Sequence, residues 1–324
     1  MQTPEDEMFM RRCVQLAALG LGKVQPNPMV GAVIVHQNRI IGEGYHHQYG
    51  QPHAEVNAIA SVRDISLLKE STLYVSLEPC SHFGKQPPCA DAIIQWGIPK
   101  VVVGTTDPHD KVNGNGIKKL KDAGVEVVEH VCEEECRELN KRFFTYHQQC
   151  RPYIILKWAQ TADGYMDIDR SNAAEHKSYW ITNPALKVVV HKWRSEEDAI
   201  LVGYNTVLND KPQLTTRLYP GKNPKRFVLS RTEEEVSEGY YSPLPMDLSE
   251  AMGKLYEQKV QSVIVEGGRK TLDRFLEVGL WDEARILVGA QQWGKGTKAP
   301  QIPMPPQTVQ HIDDNQILYV RRHL

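Results

Sequence analysis

The sequence predicts an α/β protein of two domains, 1–149 and 150–324, with a mixed sheet covered by helices in the first. Three observations carry that expectation. At 324 residues and 41% hydrophobic content the chain exceeds what a single small core needs. Along both halves, apolar residues alternate between helical spacing and short continuous runs. At Cys150-Arg151-Pro152 a long acidic helical segment gives way to a fresh series of strands.

Taken in order, residues 7–21 carry apolar groups at helical spacing, closed by Gly20 and Gly22. Residues 29–35 and 40–44 are apolar runs joined by the polar turn His36-Gln37-Asn38-Arg39, which predicts a β-hairpin. A helix over 53–62, a buried strand over 72–77, a helix over 89–96 and a second buried strand over 100–105 follow. A short helix over 117–123, with Gly124 at its C-cap position, leads into a strand over 125–128. An acidic helix over 133–149 closes the half. A hairpin followed by alternating helices and strands implies helices on both faces of the sheet. The second half has strands at 153–158, 199–202, 226–229, 262–265 and 285–288, and helices at 184–194, 248–258 and 270–278. Residues 231–245 are charged and unpatterned, which predicts a surface loop. Residues 300–308, with four prolines, predict an extended passage before a final strand over 316–321.

Composition excludes several functions. The 38 Lys+Arg against 40 Asp+Glu give a net charge of −2, and neither half carries the basic excess of a protein that tracks phosphates. Nucleic-acid binding is therefore not expected. No run approaches the roughly 18 apolar residues of a membrane span, and Glu5, Asp6 and Glu7 are opposite in charge to an export signal. Six cysteines are too sparse for a disulfide scaffold. The expected compartment is a reducing cytoplasm, where clustered thiols point to metal or catalysis. Cys132 and Cys136, four apart in an acidic run, have no convincing partner pattern.

The strongest chemical signal is His53-Ala54-Glu55, followed by Pro79-Cys80 and Pro88-Cys89. One His and two Cys are three ligands for a tetrahedral Zn²⁺, with the fourth position left for water, as in a catalytic site. His53 and Cys89 each open a helix, where backbone N–H groups favour thiolates. Glu55, two residues beyond the ligand, can take a proton from an attacking water and return it to departing ammonia. A zinc-stabilised interaction module would have no use for Glu55.

This His-x-Glu with Pro-Cys pattern resembles the zinc nucleobase deaminases, with one departure: eight residues rather than two separate the cysteines. Within that insertion Gly84-Lys85-x-Pro87-Pro88-Cys89, together with Ser76-Leu77-Glu78-Pro79-Cys80, resembles the deaminase half of the bifunctional riboflavin-biosynthesis deaminase–reductase family. Pro26-Asn27-Pro28-Met29-Val30-Gly31, His46 and Asp107-Pro108 fall in that family's matching places. In the second half Leu156-Lys157, Ala162-Asp163-Gly164, Trp180-Ile181-Thr182, Gly203-x-x-Thr206 and Val265-Glu266-Gly267-Gly268 resemble the reductase half in order.

The resemblance implies a cytidine-deaminase-like three-layer α/β/α domain and a dihydrofolate-reductase-like α/β domain. It implies deamination of a diaminopyrimidinone ribosylamine 5′-phosphate, then reduction of the ribosyl group to ribityl with NADPH. Zinc would be held by His53, Cys80 and Cys89, with Glu55 shuttling protons. Asn27, His46, Lys85 and Asp107 would contact the pyrimidine substrate. The Asn27 amide offers both a donor and an acceptor, and Lys85 a cation for the phosphate.

From the residues alone, the second half lacks Gly-x-Gly-x-x-Gly, so a Rossmann fold is not expected. Gly267-Gly268, after a strand and before a helix, would let the backbone approach a pyrophosphate. By resemblance, Ala159, Trp180, Thr206 and Asp210 contact NADPH, with Gly268, Arg269, Lys270, Thr271, Leu272, Asp273 and Arg274 along it. Ser178, Arg194, Leu214, Arg217 and Glu266 contact the sugar phosphate, which two guanidinium forks suit. Lys157 and Asp210 are the candidates for the proton that accompanies hydride. Between 230 and 260 the chain is shorter than the family usually shows, with no evident apolar strand. A deaminase with a degenerate reductase half is therefore one alternative, and a tRNA- or nucleobase-editing deaminase another. The expected partner is a small phosphorylated pyrimidine, with neither nucleic acid nor membrane; homo-oligomerisation stays open.

Overall fold

The first helix forms around a complete cap. Thr3 Oγ1 accepts from Asp6 N, the Asp6 carboxylate accepts from Thr3 N, and Pro4 occupies the first turn of α1 (Pro4–Ala18). This capping box starts the helix three residues before apolar spacing alone would place it. The computed structural model describes residues 3–82, 87–109, 113–168, 180–231 and 241–322. The chain divides into two compact units, Met1–Gln149 and Cys150–Leu324.

In the first unit β1 (Gly31–His36) and β2 (Arg39–Tyr45) form a hairpin whose two turn residues, Gln37 and Asn38, sit at φ 46° and 59°. Then come α2 (Ala54–Ala60), a 3₁₀ turn (Ile65–Glu70), β3 (Thr72–Val75), α3 (Cys89–Trp96), β4 (Lys100–Val103), α4 (Asn115–Asp122) and β5 (Glu126–Val128). The sheet order is β2-β1-β3-β4-β5; β1 runs antiparallel to both neighbours and β3-β4-β5 are parallel. Alternate residues of the central strands enter different cores. Ala32, Ile34, Leu73, Val75, Val101 and Val103 pack with α2, α3 and α4, whereas Val33, Val35, Tyr74 and Val102 pack with α1. Both faces are covered, so these strands read as unbroken apolar runs rather than alternating ones.

The expected single helix over 133–149 is two: α5 (Glu133–Leu139) and α6 (Lys141–Gln149). The break falls at buried Asn140, whose amide is engaged elsewhere. Met29 N donates to its Oδ1 and its Nδ2 donates to Met29 O, both at 2.8 Å. The helix yields where a side chain serves as hydrogen-bond partner for a distant loop.

Gly31 marks the tightest approach of helix to sheet. A Cβ there would lie 2.1 Å from Cys13 O and 2.9 Å from Ala17 N, both backbone atoms of α1. Gly31→Ala should therefore destabilise the first unit by about 1–3 kcal/mol, the usual cost of overpacking. Urea unfolding followed by hydrogen exchange of β1 amides measures it; unchanged protection would contradict this packing.

In the second unit the elements run β6 (Tyr153–Thr161), β7 (Tyr165–Asp167), α7 (Pro184–Glu196), β8 (Ala199–Gly203), α8 (Tyr204–Asp210), β9 (Lys225–Leu229) and β10 (Ser242–Leu244). They continue with α9 (Leu248–Glu257), β11 (Ser262–Val265), α10 (Arg269–Glu277), β12 (Glu283–Gly289), β13 (Thr297–Lys298), β14 (Thr308–Ile312) and β15 (Asn315–Arg321). The large sheet has the order β10-β9-β8-β11-β6-β12-β15-β14, parallel except for β15, which is antiparallel to β12 and β14. Ile154, Leu156 and Trp158 pack with α9 and α10, and Tyr153 and Ile155 with α7, so this sheet too is covered twice.

Five elements of this unit differ from expectation, two of them the short strands β7 and β13, which pair with each other. The stretch read as a surface loop contains β10, three residues paired in parallel with β9 and too short to show a period. Helix α8 has no buried residue and hence no apolar stripe to read. Strand β14 is an edge strand that is almost wholly exposed, so its polar residues carry no alternation. Among the described residues no helix is long and apolar enough to cross a membrane.

Candidate active sites

Local structure delivers the three candidate ligands of the first unit to one point. His53 caps α2 in extended conformation, Cys80 follows β3, and Cys89 is the first residue of α3. His53 Nδ1 lies 3.6 Å from Cys80 Sγ and 3.3 Å from Cys89 Sγ, and the three ligand atoms all fall within 4.8 Å of one another. Zn–N and Zn–S bonds at a tetrahedral angle set their ligand atoms about 3.5 Å apart, so the donor set fits zinc. No other such trio occurs among the described residues, Cys132 and Cys136 included.

The electrostatics suit the same purpose. The Cys89 thiol and backbone N–H, with His53, hold Cys80 at about 4 against the cost of its burial. Glu55, in the first turn of α2, is buried, and burial pushes its carboxyl up to about 7. His46 is buried with its ring edge-on to His53 at 5.3 Å. Its Nδ1 faces Pro52 O at 3.1 Å, and a carbonyl only accepts, so that nitrogen bears the proton. Nε2 is then the acceptor for Asn27 Nδ2 at 3.1 Å. The structure thus separates His46 from its neighbour His47, which stacks on Tyr45. Asp107 is buried, accepts from His109 N, and is pushed to about 7 by that burial. Lys85 lies outside the described residues.

Glu78 was not among the candidates. Its buried carboxylate accepts from the backbone N–H groups of Asp107, Gly114, Gly116 and Ile117 at 2.8–3.3 Å. It ties the strand end that leads to Cys80 to the Asp107 loop and to the start of α4. The only hint in the sequence is an acidic residue directly after a buried apolar strand.

In the second unit a cavity of about 550 Å³ is lined by eight of the expected residues: Lys157, Ala159, Trp180, Arg194, Asp210, Leu214, Arg217 and Glu266. Its size suits a small-molecule site. Glu266 is its electrostatic centre. Arg194 Nε and Nη2 grip both carboxylate oxygens at 2.9 and 2.7 Å, and Lys157 Nζ stands 3.4 Å away. Burial alone would raise Glu266, but the two cations outweigh it and hold it at about 2. Burial in turn lowers Lys157. The Arg194 fork therefore faces a carboxylate of the protein, and its Nη1 donates to Thr215 O at 3.2 Å. Arg217 is exposed. Ser178 lies outside the described residues.

Around α10 several of the expected cofactor residues are engaged within the protein. Leu272 is fully buried in the core. Arg269 pairs with Asp273 and donates to the carbonyls of Lys298 and Ala299, and Arg274 donates to Met246 O. A Cβ on Gly267 would come within 2.6 Å of Thr271 Cβ, so that glycine is required for packing. On Gly268 a Cβ would meet nothing nearer than Thr206 Oγ1 at 3.5 Å. At the start of this helix Gly268 N donates to Thr206 Oγ1 at 3.2 Å.

His191 also lines the cavity and was not among the candidates. It stands one turn before Arg194 on α7, and that spacing was the available signal. Burial, reinforced by Arg194 and Arg217, holds its imidazole at about 4.

Residues 152–317 match the RibD C-terminal domain, and residues 3–105 match the cytidine and deoxycytidylate deaminase zinc-binding region. The chain is 41% identical over 322 residues to the riboflavin biosynthesis protein RibD of Aquifex aeolicus, covering 90% of this chain and 88% of that protein. It is 34% identical over 337 residues to the Escherichia coli protein of the same name, covering 91% and 90%. Among solved structures it resembles a diaminohydroxyphosphoribosylaminopyrimidine deaminase/5-amino-6-(5-phosphoribosylamino)uracil reductase from Thermotoga maritima, with TM-score 0.86, 38% identity and 98% of each chain covered. Acinetobacter baumannii RibD superposes with TM-score 0.86 at 31% identity, again over 98% of each chain.

Proposed function

Because the chain belongs to the RibD family of riboflavin-biosynthesis enzymes, we propose how its own residues divide the family's two reactions. It is a bifunctional enzyme, with a zinc-dependent deaminase in the first unit and an NADPH-dependent reductase in the second. The substrate of the first is a diaminopyrimidinone ribosylamine 5′-phosphate, and the second reduces the ribosyl group of the deaminated product to ribityl. The observation that carries the reading is the His53, Cys80 and Cys89 triangle with Glu55 buried beside it.

Bound there, zinc supplies Lewis-acid activation of water. Glu55 takes the proton from the attacking water on its carboxylate and delivers it to the leaving amino nitrogen. Its apolar burial, which brings its basicity near neutrality, suits both transfers. Asn27 has Nδ2 committed to His46, which leaves Oδ1 to accept from an N–H on the pyrimidine edge. In the second unit exposed Arg217 takes the phosphate, and Glu266, oriented by Arg194, meets sugar hydroxyls. NADPH brings the hydride; Lys157 holds the accompanying proton at Nζ, with Asp210 on the same cavity wall. The backbone of α10 at Gly268 and the Trp180 ring, with Thr206, are the proposed cofactor contacts.

A nucleic-acid substrate has no support in a chain of net charge −2 with a cavity of small-molecule size. We place the protein in the cytoplasm, in keeping with six free cysteines, two of them proposed ligands.

The test is incubation with the diaminopyrimidinone phosphate, with and without NADPH, resolving both products. Deamination should proceed without NADPH, and the ribityl product should need it. Chelating zinc should abolish deamination while leaving reduction of already deaminated substrate largely intact, since the cavity of the second unit is built without the ligand trio. Zinc-free protein that keeps its circular dichroism yet no longer oxidises NADPH would refute the independence of the two sites.

A further inference from the structure

Two side chains one turn apart on α7 clasp the same short segment. Arg194 Nη1 donates to Thr215 O at 3.2 Å, and His191 Nδ1 accepts from Leu218 N at 3.3 Å. The segment between these points enters through Leu214, a buried non-glycine residue at φ 51°, in the left-handed region that side chains disfavour. It carries Arg217 beside the cavity. We propose that His191 is a positioning residue for the reductase, holding the 214–218 arm so that Arg217 meets the phosphate of the sugar substrate.

The proposal rests on the reading of the cavity as the reductase site and adds to it a residue that does not itself touch the substrate. The chemistry is specific. Accepting the Leu218 N–H at Nδ1 requires an imidazole without a proton there, and the residue is 4% exposed. The charged groups that face it are Arg194 on its own helix, Arg217 on the arm and Glu266 beyond β11. Arg194 is already engaged with Glu266, so of the two clasps only His191 is dedicated to the arm. The far side of the arm is closed by its own turn, Thr216 N and Oγ1 on Asn223 Oδ1 at 2.9 and 3.0 Å. That turn fixes the arm's shape, while His191 fixes its place against α7.

Four variants, compared with the wild type, decide it. In His191→Leu the acceptor is gone; in His191→Asn a side-chain oxygen stands close to where Nδ1 was. With saturating NADPH and varied deaminated substrate, His191→Leu should raise KM for the sugar phosphate at least tenfold, with kcat and the KM for NADPH within about twofold of wild type. His191→Asn should recover most of the loss. Arg217→Ala should raise the same KM, and adding His191→Leu to it should raise it little further. Deaminase turnover and circular dichroism report the fold of each variant. If His191→Leu leaves the sugar-phosphate KM unchanged, the arm's own turn suffices and the proposal is wrong. If His191→Leu and His191→Asn lose kcat and both KM values alike, the residue merely supports the fold, which also overturns it. Failure of the wild-type protein to oxidise NADPH with this substrate would instead overturn the reading of the cavity.

Discussion

Glu55→Gln should keep its zinc and lose deamination by about 10²–10⁴-fold, the range general acid–base catalysis contributes. The amide preserves the shape of a side chain buried at the start of α2 but has no basic oxygen to accept the water's proton. His53 and Cys89 are placed by the starts of α2 and α3, and Gln can still accept from Cys89 as Glu55 does, so the donor set should keep its arrangement. Metal content by elemental analysis should match the wild type while product formation collapses and NADPH-dependent reduction continues. Near wild-type turnover in zinc-loaded Glu55→Gln would exclude the proton shuttle.

The second large effect is expected at Glu266. Replacing it with Leu leaves Arg194 and Lys157 as buried cations facing each other without their anion. Breaking a buried pair in this way typically costs about 3–5 kcal/mol. Urea unfolding of the second unit should show a loss of that size, and NADPH oxidation should cease. Adding Arg194→Met removes one of the stranded charges and should restore much of the stability without restoring reduction. The pH dependence follows from the same triad. Glu266 lies at about 2 in the folded protein against an ordinary 4.5. Its contribution is therefore complete above about 4.5 and is lost as the pH falls from there toward 2. The Leu variant should lack that acid-side decline. Equal stability of variant and parent at neutral pH would mean the triad contributes nothing net.

Much of this was legible in the sequence, for identifiable reasons. The zinc trio was readable because ligand chemistry demands particular residue types, and the turns that carry them bear Pro next to each Cys. The central strands were readable because they are buried on both faces and contain few polar residues. What escaped was set by contacts between distant residues. Nothing local in Leu139-Asn140-Lys141 or its surroundings announces that Asn140 breaks a helix to pair with Met29. Glu78 looks like a surface acid until four backbone N–H groups from later in the chain converge on it. The glycines at 267 and 268 invited a reading in terms of phosphate approach, and the first of them is explained by Thr271 beneath it. Residues that line a site by virtue of helical spacing, as His191 does with Arg194, become visible only once the facing segment is known.

The pairing of Asn140 with Met29 bears on where the deaminase ends. Helices α5 and α6 follow the last strand of their sheet and could pass for a spacer between two enzymes. Yet the amide at their junction holds both backbone groups of a residue two positions from Asn27. Excision of a free-standing deaminase just after β5 would strip the Met29 N–H and C=O of their partners in a place water reaches poorly. The His53, Cys80 and Cys89 trio would survive on paper while the loop that carries Asn27 lost its anchor. The boundary of this enzyme as a working object is therefore drawn by a hydrogen-bonded amide beyond residue 139, some way past the edge of its sheet.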